Sequence, residues 1–255
     1  MHMMDEIKIL SGTKHSFLGN SLQMQEIEIL LSDLQYPEPI LIVGDSGVGK
    51  TTLAEVVHEK RFGGQMEPIY LFPNRIDVLV RELFGNVRYS RERQPRLENG
   101  LISKAVGNSI IIENLDEFSE LTYELISKIL PSYPRKLNLR NGISFVATAR
   151  NRNKLPPEII ERFTKILYLP NLDTKREEVP HLADHFYRHF MQRQNVGHLD
   201  SNPSLWNILK TVEWPGNIRQ LESFVEYCAS LGWDGSFDQR HVFKRYESWI
   251  SWLKL

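Results

Sequence analysis

The sequence predicts an α/β fold, a parallel sheet with flanking helices, followed by a small all-helical domain. The aliphatic run Ile40–Val43 is typical of a buried parallel strand, and a glycine-rich turn separates it from a helical pattern at 52–61. From Asp173 onward the apolar spacing is helical and no strong strand run follows. We therefore divide the chain into an α/β core, 1–172, and a helical lid with a C-terminal tail, 173–255.

Composition sets limits on the class of protein. The chain has 255 residues, of which 41% are hydrophobic, and this is enough for a domain and a lid with separate cores. Its 31 basic and 32 acidic residues nearly balance, so binding to nucleic acid or anionic lipid would need a local patch. The single cysteine, Cys228, excludes an internal disulfide and favours a reducing compartment. With no long apolar run and no signal-peptide pattern at the start, we expect a cytoplasmic protein.

The remaining elements follow from apolar spacing and from proline. The spacing predicts a helix over 26–34, which the prolines of the following segment end because proline lacks an amide hydrogen. Two further strands are expected at Ser109–Ile112 and 143–148, with a helix over 121–129 between them. The last stretch, 242–255, is amphipathic. We expect it to pack on the lid as a helix, with docking of a partner as the alternative.

A phosphate-binding loop follows the first predicted strand. The segment fits the pattern of glycine, four residues, glycine, lysine and then serine or threonine. Its glycines allow successive backbone amides to point at phosphate oxygens, and the start of the next helix adds partial positive charge. Lys50 is expected to reach the β- and γ-phosphates of ATP, and the Thr51 hydroxyl to bind Mg²⁺. The candidate nucleotide-binding residues are Gly44, Asp45, Ser46, Gly47, Val48, Gly49, Lys50, Thr51 and Thr52.

An acidic residue after a hydrophobic strand is the expected partner of this loop, since it holds the water shell of Mg²⁺ and a second carboxylate orients the attacking water. Here Ser109–Ile112 is followed by Glu113 and Asn114. Glu113 can serve the metal ion. Asn114 stands where the second carboxylate is expected, and an amide orients water but cannot accept its proton, so we expect slow or absent hydrolysis. We interpret Asp116 and Glu117 as an acidic pair at the start of the next helix.

Four further segments occur in the order and spacing of one known family. They are Phe17-Leu18-Gly19-Asn20-Ser21, Glu82-Leu83-Phe84-Gly85, Arg176-Glu177-Glu178-Val179-Pro180 and Trp214-Pro215-Gly216-Asn217-Ile218-Arg219. With the phosphate loop, they make residues 17–222 resemble the AAA+ domain of the sigma-54-dependent transcription activators, the bacterial enhancer-binding proteins.

This resemblance implies a ring, usually hexameric, with nucleotide bound between subunits. It implies that Phe17 and Leu18 lie near the adenine and that Arg219 is a sensor arginine contacting the phosphates from the lid. Arg162 matches the second of two arginines that reach a neighbour's γ-phosphate, which makes it a candidate catalytic residue beside Glu113 and Asn114. A surface salt bridge is the alternative role for Arg162.

The sequence departs from the family at several functional positions. Pro156 replaces the first of the two arginines, and Arg150 replaces the asparagine of the first sensor. The GAFTGA segment that grips sigma-54 is replaced by Tyr89-Ser90-Arg91-Glu92-Arg93-Gln94, and the connection at 131–141 is shorter than the family's hairpin. The replacement loop is basic, and its arginines are Arg88, Arg91, Arg93 and Arg96.

Three hypotheses follow from these motifs and departures. The leading one is an oligomeric, nucleotide-dependent switch or weak ATPase that acts on a protein partner other than the sigma-54 polymerase. The second is an active remodelling ATPase in which Glu113 and Asn114 suffice. The third is a DNA-associated transcriptional regulator whose basic loop contacts nucleic acid, against the alternative that this loop is simply a solvated charged segment.

Overall fold

The computed structural model describes residues 8–11, 16–19, 22–32, 38–89, 95–130, 142–194, 203–231 and 238–253. The strands are β1 (Lys8–Ser11), β2 (Ser16–Gly19), β3 (Ile40–Val43), β4 (Ile69–Leu71), β5 (Gly85–Tyr89), β6 (Pro95–Asn99), β7 (Ser109–Ile112), β8 (Ser144–Ala149) and β9 (Lys165–Tyr168). The α-helices are α1 (Leu22–Ser32), α2 (Lys50–Phe62), α3 (Ile76–Phe84), α4 (Leu101–Lys104), α5 (Glu120–Ile129), α6 (Pro157–Ile160), α7 (Val179–Arg193), α8 (Asn217–Ser230) and α9 (Gln239–Leu253). The 3₁₀ segments are Leu115–Glu117, Arg152–Lys154, Leu172–Thr174, Arg176–Glu178 and Pro203–Thr211.

A five-stranded parallel sheet forms the centre of the α/β core, in the order β4-β7-β8-β3-β9. Every residue of its three inner strands, β7, β8 and β3, is buried. Burial on both faces explains why these segments are almost continuously aliphatic, as parallel strands covered by helices usually are. The carboxyl ends of the inner strands lie side by side at one edge of the sheet, because all three run in the same direction.

Apolar clusters cover both faces of this sheet. Successive residues of a strand point to opposite faces, and accordingly Leu41 and Val43 join one cluster while Ile40 and Ile42 join the other. The first cluster includes residues of α3 and α5, and the second includes residues of α1 and α2. The predicted parallel sheet with flanking helices is therefore confirmed.

The lid has an apolar core of its own, built from α7, α8, α9 and the segment Pro203–Thr211. Trp206, Trp214 and Phe224 are its largest fully buried side chains. Val242 and Trp249 of α9 are buried in the same cluster, so the tail helix packs on the lid as expected. Leu172 also belongs to this cluster, and the division of the chain after residue 172 stays a prediction.

Several predicted boundaries need correction. The helix expected over 26–34 begins earlier, at Leu22, and the strand expected at 143–148 is displaced by one residue to Ser144–Ala149. The helix expected over 52–61 is α2, which begins directly at Lys50 because Gly49 takes a left-handed conformation, with φ 98°. Gly63, with φ 72°, ends this helix in the same way.

An antiparallel pair of strands flanks the basic loop. Strands β5 and β6 pair from Gly85 opposite Asn99 to Tyr89 opposite Pro95, and they place Arg88 opposite Arg96. Arg91 and Arg93, like the connection at 131–141, lie outside the described residues. None of the helices in the described ranges has the length and hydrophobicity that a membrane span requires.

Candidate nucleotide-binding site

Three chain segments meet where the inner strands end. The phosphate loop follows β3, Glu113 and Asn114 follow β7, and Arg150 follows β8, which lies between the other two strands. The backbone amide of Gly44 donates a hydrogen bond to the carbonyl oxygen of Ala149 over 3.1 Å. This bond fixes the start of the loop against the end of β8.

Two left-handed glycines shape the phosphate loop. Gly47 and Gly49 have φ angles of 78° and 98°, which glycine adopts without a steric cost. Lys50 is buried, and its ammonium group donates to the carbonyl oxygens of Gly44 and Asp45, each over 2.8 Å. Burial lowers the pKa of Lys50. The positive charge of Arg150 acts in the same direction, while Glu113 opposes it.

A polar cavity of about 260 Å³ lies over this loop, between the core and the lid. Nine of the residues that the sequence predicts for the site line this cavity, together with four that it does not predict. The lining residues are Ser46, Gly47, Gly49, Lys50, Thr51, Thr52, Glu113, Asn114, Glu117, Arg150, Ile218, Arg219 and Glu222.

Glu113 has the surroundings of a metal-binding carboxylate. Its Oε2 accepts a hydrogen bond from the hydroxyl of Thr148 over 2.7 Å. Its Oε1 is buried, and among the described residues it has no hydrogen-bond partner. A buried, unpaired carboxylate oxygen and the Thr51 hydroxyl in the same cavity suit Mg²⁺, which prefers oxygen ligands.

Asn114 follows Glu113 in a left-handed conformation, with φ 50°, which asparagine tolerates better than most residues. Its backbone amide donates to the Thr148 hydroxyl over 3.0 Å. Thr148 therefore holds both residues after β7 in place. Asn114 lines the cavity, and its side-chain amide can hydrogen-bond to water but has no basic group.

The acidic pair after Asn114 does not begin helix α5. Asp116 and Glu117 lie in the separate 3₁₀ turn Leu115–Glu117, and α5 starts only at Glu120. The carboxylate of Asp116 accepts hydrogen bonds from the backbone amides of Arg150, over 2.9 Å, and Asn151, over 3.0 Å. Glu117 lines the cavity instead of capping a helix, because the left-handed turn at Asn114 redirects the chain.

The lid borders the cavity and contacts the phosphate loop directly. The backbone amide of Arg219 donates to the carbonyl oxygen of Gly47 over 3.2 Å, and Arg219 is one of the residues that line the cavity. A Cβ atom added to Gly47 would lie 2.2 Å from the carbonyl oxygen of Gly216, so the two backbones approach closely here. Asn217 adds a side-chain bond to the carbonyl oxygen of Ser46, over 3.0 Å.

Glu222 is a site residue that the sequence reasoning missed. Burial raises its pKa, and the nearby charge of Glu226 acts in the same direction. His189, Arg193 and Arg219 oppose that shift. Glu222 lies three residues after Arg219 on α8, and this spacing puts the two residues on one face of the helix. The spacing is the sequence signal from which Glu222 could have been predicted.

Apart from Phe17 and Leu18, four predicted residues do not line this cavity: Gly44, which bonds to the end of β8, and three that take other positions. Arg162 precedes β9, and the amide of Thr164 donates to the carbonyl oxygen of Pro39, just before β3. Arg162 therefore lies towards the amino ends of the strands, at the opposite edge of the sheet from the phosphate loop. The Val48 side chain is buried in the apolar core, so its backbone alone is available to a ligand. Asp45 lines a second cavity, of about 290 Å³, beside the first.

Phe17 and Leu18 lie on β2, which contacts helix α2. Their side chains, and those of Arg88 and Arg96, lie outside the described residues.

A glycine-rich loop at the end of an inner parallel strand, an acidic residue after the neighbouring buried strand and an arginine from a helical lid define a P-loop protein of AAA+ type. Family models match both parts of the chain. Residues 17–142 match the Sigma-54 interaction domain, and residues 173–248 match the AAA+ ATPase lid domain. The chain belongs to the sigma-54 activator family of AAA+ proteins.

Individual relatives agree with this assignment. The transcriptional regulatory protein ZraR of Salmonella typhi is 27% identical over 245 residues, which are 89% of this chain and 55% of the relative. The nitrogen fixation protein AnfA of Azotobacter vinelandii is 28% identical over 244 residues, 86% of this chain and 44% of that protein. The chain thus spans about half the length of the curated relatives it matches.

Solved structures share the fold. NtrX from Brucella abortus in complex with ADP superposes with a TM-score of 0.67 at 20% identity, over 87% of this chain and 53% of that one. A single-residue variant of RuvB from Thermotoga maritima gives a TM-score of 0.61 at 14% identity, over 93% and 72% of the two chains.

Proposed function

We propose that this chain binds ATP with Mg²⁺ and works as an oligomeric, nucleotide-dependent switch, or as an ATPase of slow turnover. The observation that carries this proposal is the position of Asn114. Asn114 lines the phosphate cavity directly after the carboxylate that suits the metal ion, where hydrolysis calls for a proton acceptor. The cavity therefore has the groups that ATP binding requires, whereas Asn114 cannot accept the proton whose transfer speeds hydrolysis.

Each part of the cavity has a distinct role in this proposal. Backbone amides of the phosphate loop and the Lys50 ammonium group bind the phosphates, and binding moves Lys50 from two carbonyl oxygens to phosphate oxygens. Thr51 and Glu113 hold Mg²⁺, whose charge offsets that of the β- and γ-phosphates. Asn114 orients a water molecule, and Arg219 contacts the phosphates from the lid. Phe17 and Leu18 are assigned to the adenine end of the site.

An oligomer fits the position of Arg162. This residue lies at the far edge of the sheet, so any contact it makes with a nucleotide involves the site of a second copy. NtrX of Brucella abortus, solved in complex with ATP, has the same fold. We further propose that the partner of this chain is not the sigma-54 polymerase, because residues 89–94 carry basic residues in place of the family's gripping segment.

The proposal is tested by ATP binding and phosphate release with Mg²⁺, comparing the wild type with Lys50→Ala and Asn114→Glu. Wild-type protein should bind ATP and release little phosphate, Lys50→Ala should lose binding, and Asn114→Glu should raise turnover at least about tenfold. Asn153→Glu, at an exposed asparagine away from the cavity, is the matched control. Turnover by wild-type protein on the order of 1 s⁻¹ or faster would show that Asn114 is no obstacle.

An active remodelling ATPase is the second candidate function, and the position of Glu117 favours it. This carboxylate lines the same cavity as Asn114 and could accept the proton. In that case Glu117→Gln should abolish steady phosphate release, whereas Glu124→Gln, at an exposed glutamate of α5, should not. Equal activity of both variants would argue against this candidate.

A DNA-associated regulator is the third candidate, favoured by the pairing of Arg88 with Arg96 beside the basic loop. Guanidinium groups on such a hairpin suit phosphate contact. DNA binding should then weaken steeply with salt and fall when Arg91 and Arg93 are replaced together by alanine. Absence of binding at low salt would end this candidate.

A further inference from the structure

We propose that Glu222 takes up a proton when a nucleotide binds, so that ATP binding is coupled to pH through a carboxyl group of the lid. This inference rests on the nucleotide binding proposed above. It makes Glu222 a binding residue that is an anion in the free protein and a neutral hydrogen-bond donor in the complex.

Glu222 lies in a cavity whose other features suit a polyanion. It lines this cavity together with Lys50 of the phosphate loop and Arg219, three residues earlier on α8. Within a space of about 260 Å³, an ionised carboxylate repels the phosphates of ATP. In the proposed complex Mg²⁺ offsets the charge of Glu113, whereas Glu222 belongs to the lid and has no part in holding the metal ion. Protonation is the direct way to remove its repulsion.

Charged groups of two helices surround Glu222. Glu226 lies one turn further along α8, and His189 and Arg193 act on Glu222 from α7, which packs against α8 in the lid core. Partial burial and the negative charge of Glu226 raise the pKa of Glu222, while the charges of His189, Arg193 and Arg219 oppose this shift. The carboxyl group is therefore closer to protonation than that of an isolated glutamate.

Other charged groups near α8 either line the cavity or have partners of their own. Asp173, in the 3₁₀ segment beside α8, pairs with Arg176, and Arg245 of α9 donates to the carbonyl oxygen of Cys228. The remaining charged residues that line the cavity with Glu222 and Arg219 are Lys50, Arg150, Glu113 and Glu117.

Arg219 connects the phosphate site to the group of charges around Glu222. Its positive charge stabilises the ionised form of Glu222, and its backbone bonds to Gly47 of the phosphate loop. When its guanidinium group contacts phosphates in the proposed complex, it no longer offsets the charge of Glu222. The phosphates also add negative charge to the cavity. Both changes favour the neutral carboxyl group, so nucleotide binding raises the pKa of Glu222 further.

A neutral Glu222 can also bind the phosphates directly. A protonated carboxyl group donates one hydrogen bond, and a bond of this kind to a phosphate oxygen is strengthened by the charge of the acceptor. Glu222 is exposed enough to exchange its proton with water. Proton uptake thus replaces a repulsive contact by an attractive one.

The direction of the pH effect follows from this coupling. Below the pKa that Glu222 has in the free protein, the group is protonated with or without nucleotide, and affinity does not depend on its titration. Between that pKa and the higher pKa of the complex, binding takes up a proton, and affinity falls by up to about tenfold for each unit by which the pH rises. Above both, Glu222 stays ionised and weakens binding by a constant factor.

The test is calorimetric titration with ATPγS and Mg²⁺ in buffers of different ionisation enthalpy, because the dependence of the heat on that enthalpy gives the number of protons taken up. Wild type is compared with Glu222→Gln and Glu222→Ala. The control is Glu247→Gln, at an exposed glutamate of α9 outside the cavity lining. Titration of the nucleotide itself cancels in these comparisons.

Wild type should take up more protons than Glu222→Gln, with a difference approaching about one proton at the pH of greatest uptake. At about pH 8, Glu222→Gln should bind ATPγS about tenfold more tightly than wild type, the ratio that corresponds to a pKa rise of about one unit. Glu222→Ala, which lacks both the charge and the donor, should have an intermediate affinity. Glu247→Gln should match wild type in both measurements.

Equal proton uptake by wild type and Glu222→Gln overturns the inference, because the proton then goes to the nucleotide or to another group such as His189. Equal affinity of these two proteins at about pH 8 overturns it as well, since Glu222 then avoids the phosphates while ionised. If wild type binds no nucleotide at any pH tested, the proposed function itself fails and the inference falls with it. Circular dichroism confirms the folding of each variant, and the proton uptake of Glu222→Ala decides the matter if Glu222→Gln does not fold.

Discussion

Asn217 of the lid bonds through one side chain to the phosphate loop and to Leu172, the last residue of the predicted core. Its amide nitrogen donates to the carbonyl oxygen of Ser46 over 3.0 Å, and its amide oxygen accepts from the backbone of Leu172 over 2.8 Å. The residue is buried and has a φ of 54°, a left-handed conformation that asparagine tolerates. The asparagine of the Trp-Pro-Gly-Asn segment therefore connects the lid to the phosphate loop.

Replacing Asn217 should weaken the attachment of the lid to the phosphate loop. Asn217→Ala removes both side-chain bonds and puts a less tolerant residue at a left-handed position, so the free energy of unfolding should fall by about 2–3 kcal/mol. Urea unfolding measures the change, with Ser223→Ala, at an exposed position on the same helix, as the control. A loss no larger than that of the control would show that Asn217 does not join the two parts.

Gly47 should be intolerant of alanine for a reason that Gly63 does not share. Both have positive φ, so both variants carry the cost of a left-handed alanine, about 1 kcal/mol. A Cβ atom at Gly47 also strikes the carbonyl oxygen of Gly216, whereas nothing lies within 4 Å of one at Gly63. Gly47→Ala should therefore lose lid contact and weaken ATP binding at least about tenfold, while Gly63→Ala binds normally. Equal affinities of the two variants would contradict the close approach of lid and loop.

The buried hydroxyl of Thr148 should control the use of Mg²⁺. It donates to Glu113 and accepts from the amide of Asn114, so Thr148→Val frees the carboxylate to turn. We expect the Mg²⁺ concentration for half-maximal ATP binding to rise about tenfold, as is typical when a group supporting a metal ligand is lost. Thr148→Ser keeps the hydroxyl and should stay near wild type. An unchanged Mg²⁺ requirement in the valine variant would remove Thr148 from this role.

Cys228 should make the protein less stable as the pH rises in the alkaline range. Burial raises the pKa of its thiol to about 12, from an ordinary value of 9.0. Above about pH 9 the unfolded chain loses this proton and the folded chain retains it, so stability is lost as the pH rises. Relative to Cys228→Ala, the wild-type free energy of unfolding should fall by about 1.4 kcal/mol for each pH unit between about pH 9 and pH 12.

Urea unfolding of both proteins at about pH 8 and about pH 10 measures this difference, because other titrating groups cancel in the comparison. A difference that does not change with pH would show that the thiol is ionised equally in both states. A thiol reagent should also react slowly with the native protein and fast after unfolding, since only the thiolate is reactive.

The part of the site that the sequence predicts is the part that local patterns determine. Lys50 and Thr51 belong to one short motif, and Glu113 and Asn114 directly follow an unbroken aliphatic strand. Parallel strands end at a common edge, so their meeting in one cavity follows from the fold class. The resemblance to a known family predicted a lid arginine, Arg219, for this group, and the structure places Arg219 in the lining of the same cavity.

The remaining contacts depend on features that a single sequence does not display. Thr148 orients Glu113 because β8 is the neighbour of β7, and strand order is a property of the whole sheet. Glu222 enters the cavity because α8 docks on the phosphate loop, a contact between segments about 170 residues apart along the chain. The left-handed conformation of Asn114, which directs Glu117 to the cavity, depends on the surrounding structure. The sequence does not reveal it, because no glycine marks the turn.

The bonds from Asn217 and Arg219 to the phosphate loop have a kinetic consequence. They join the lid to the backbone of the loop itself, so we expect a nucleotide bound in the cavity to leave only after they break. Release then follows the opening rate of the lid rather than the strength of the phosphate contacts alone. The lifetime of the bound state is then set by how often these two bonds break.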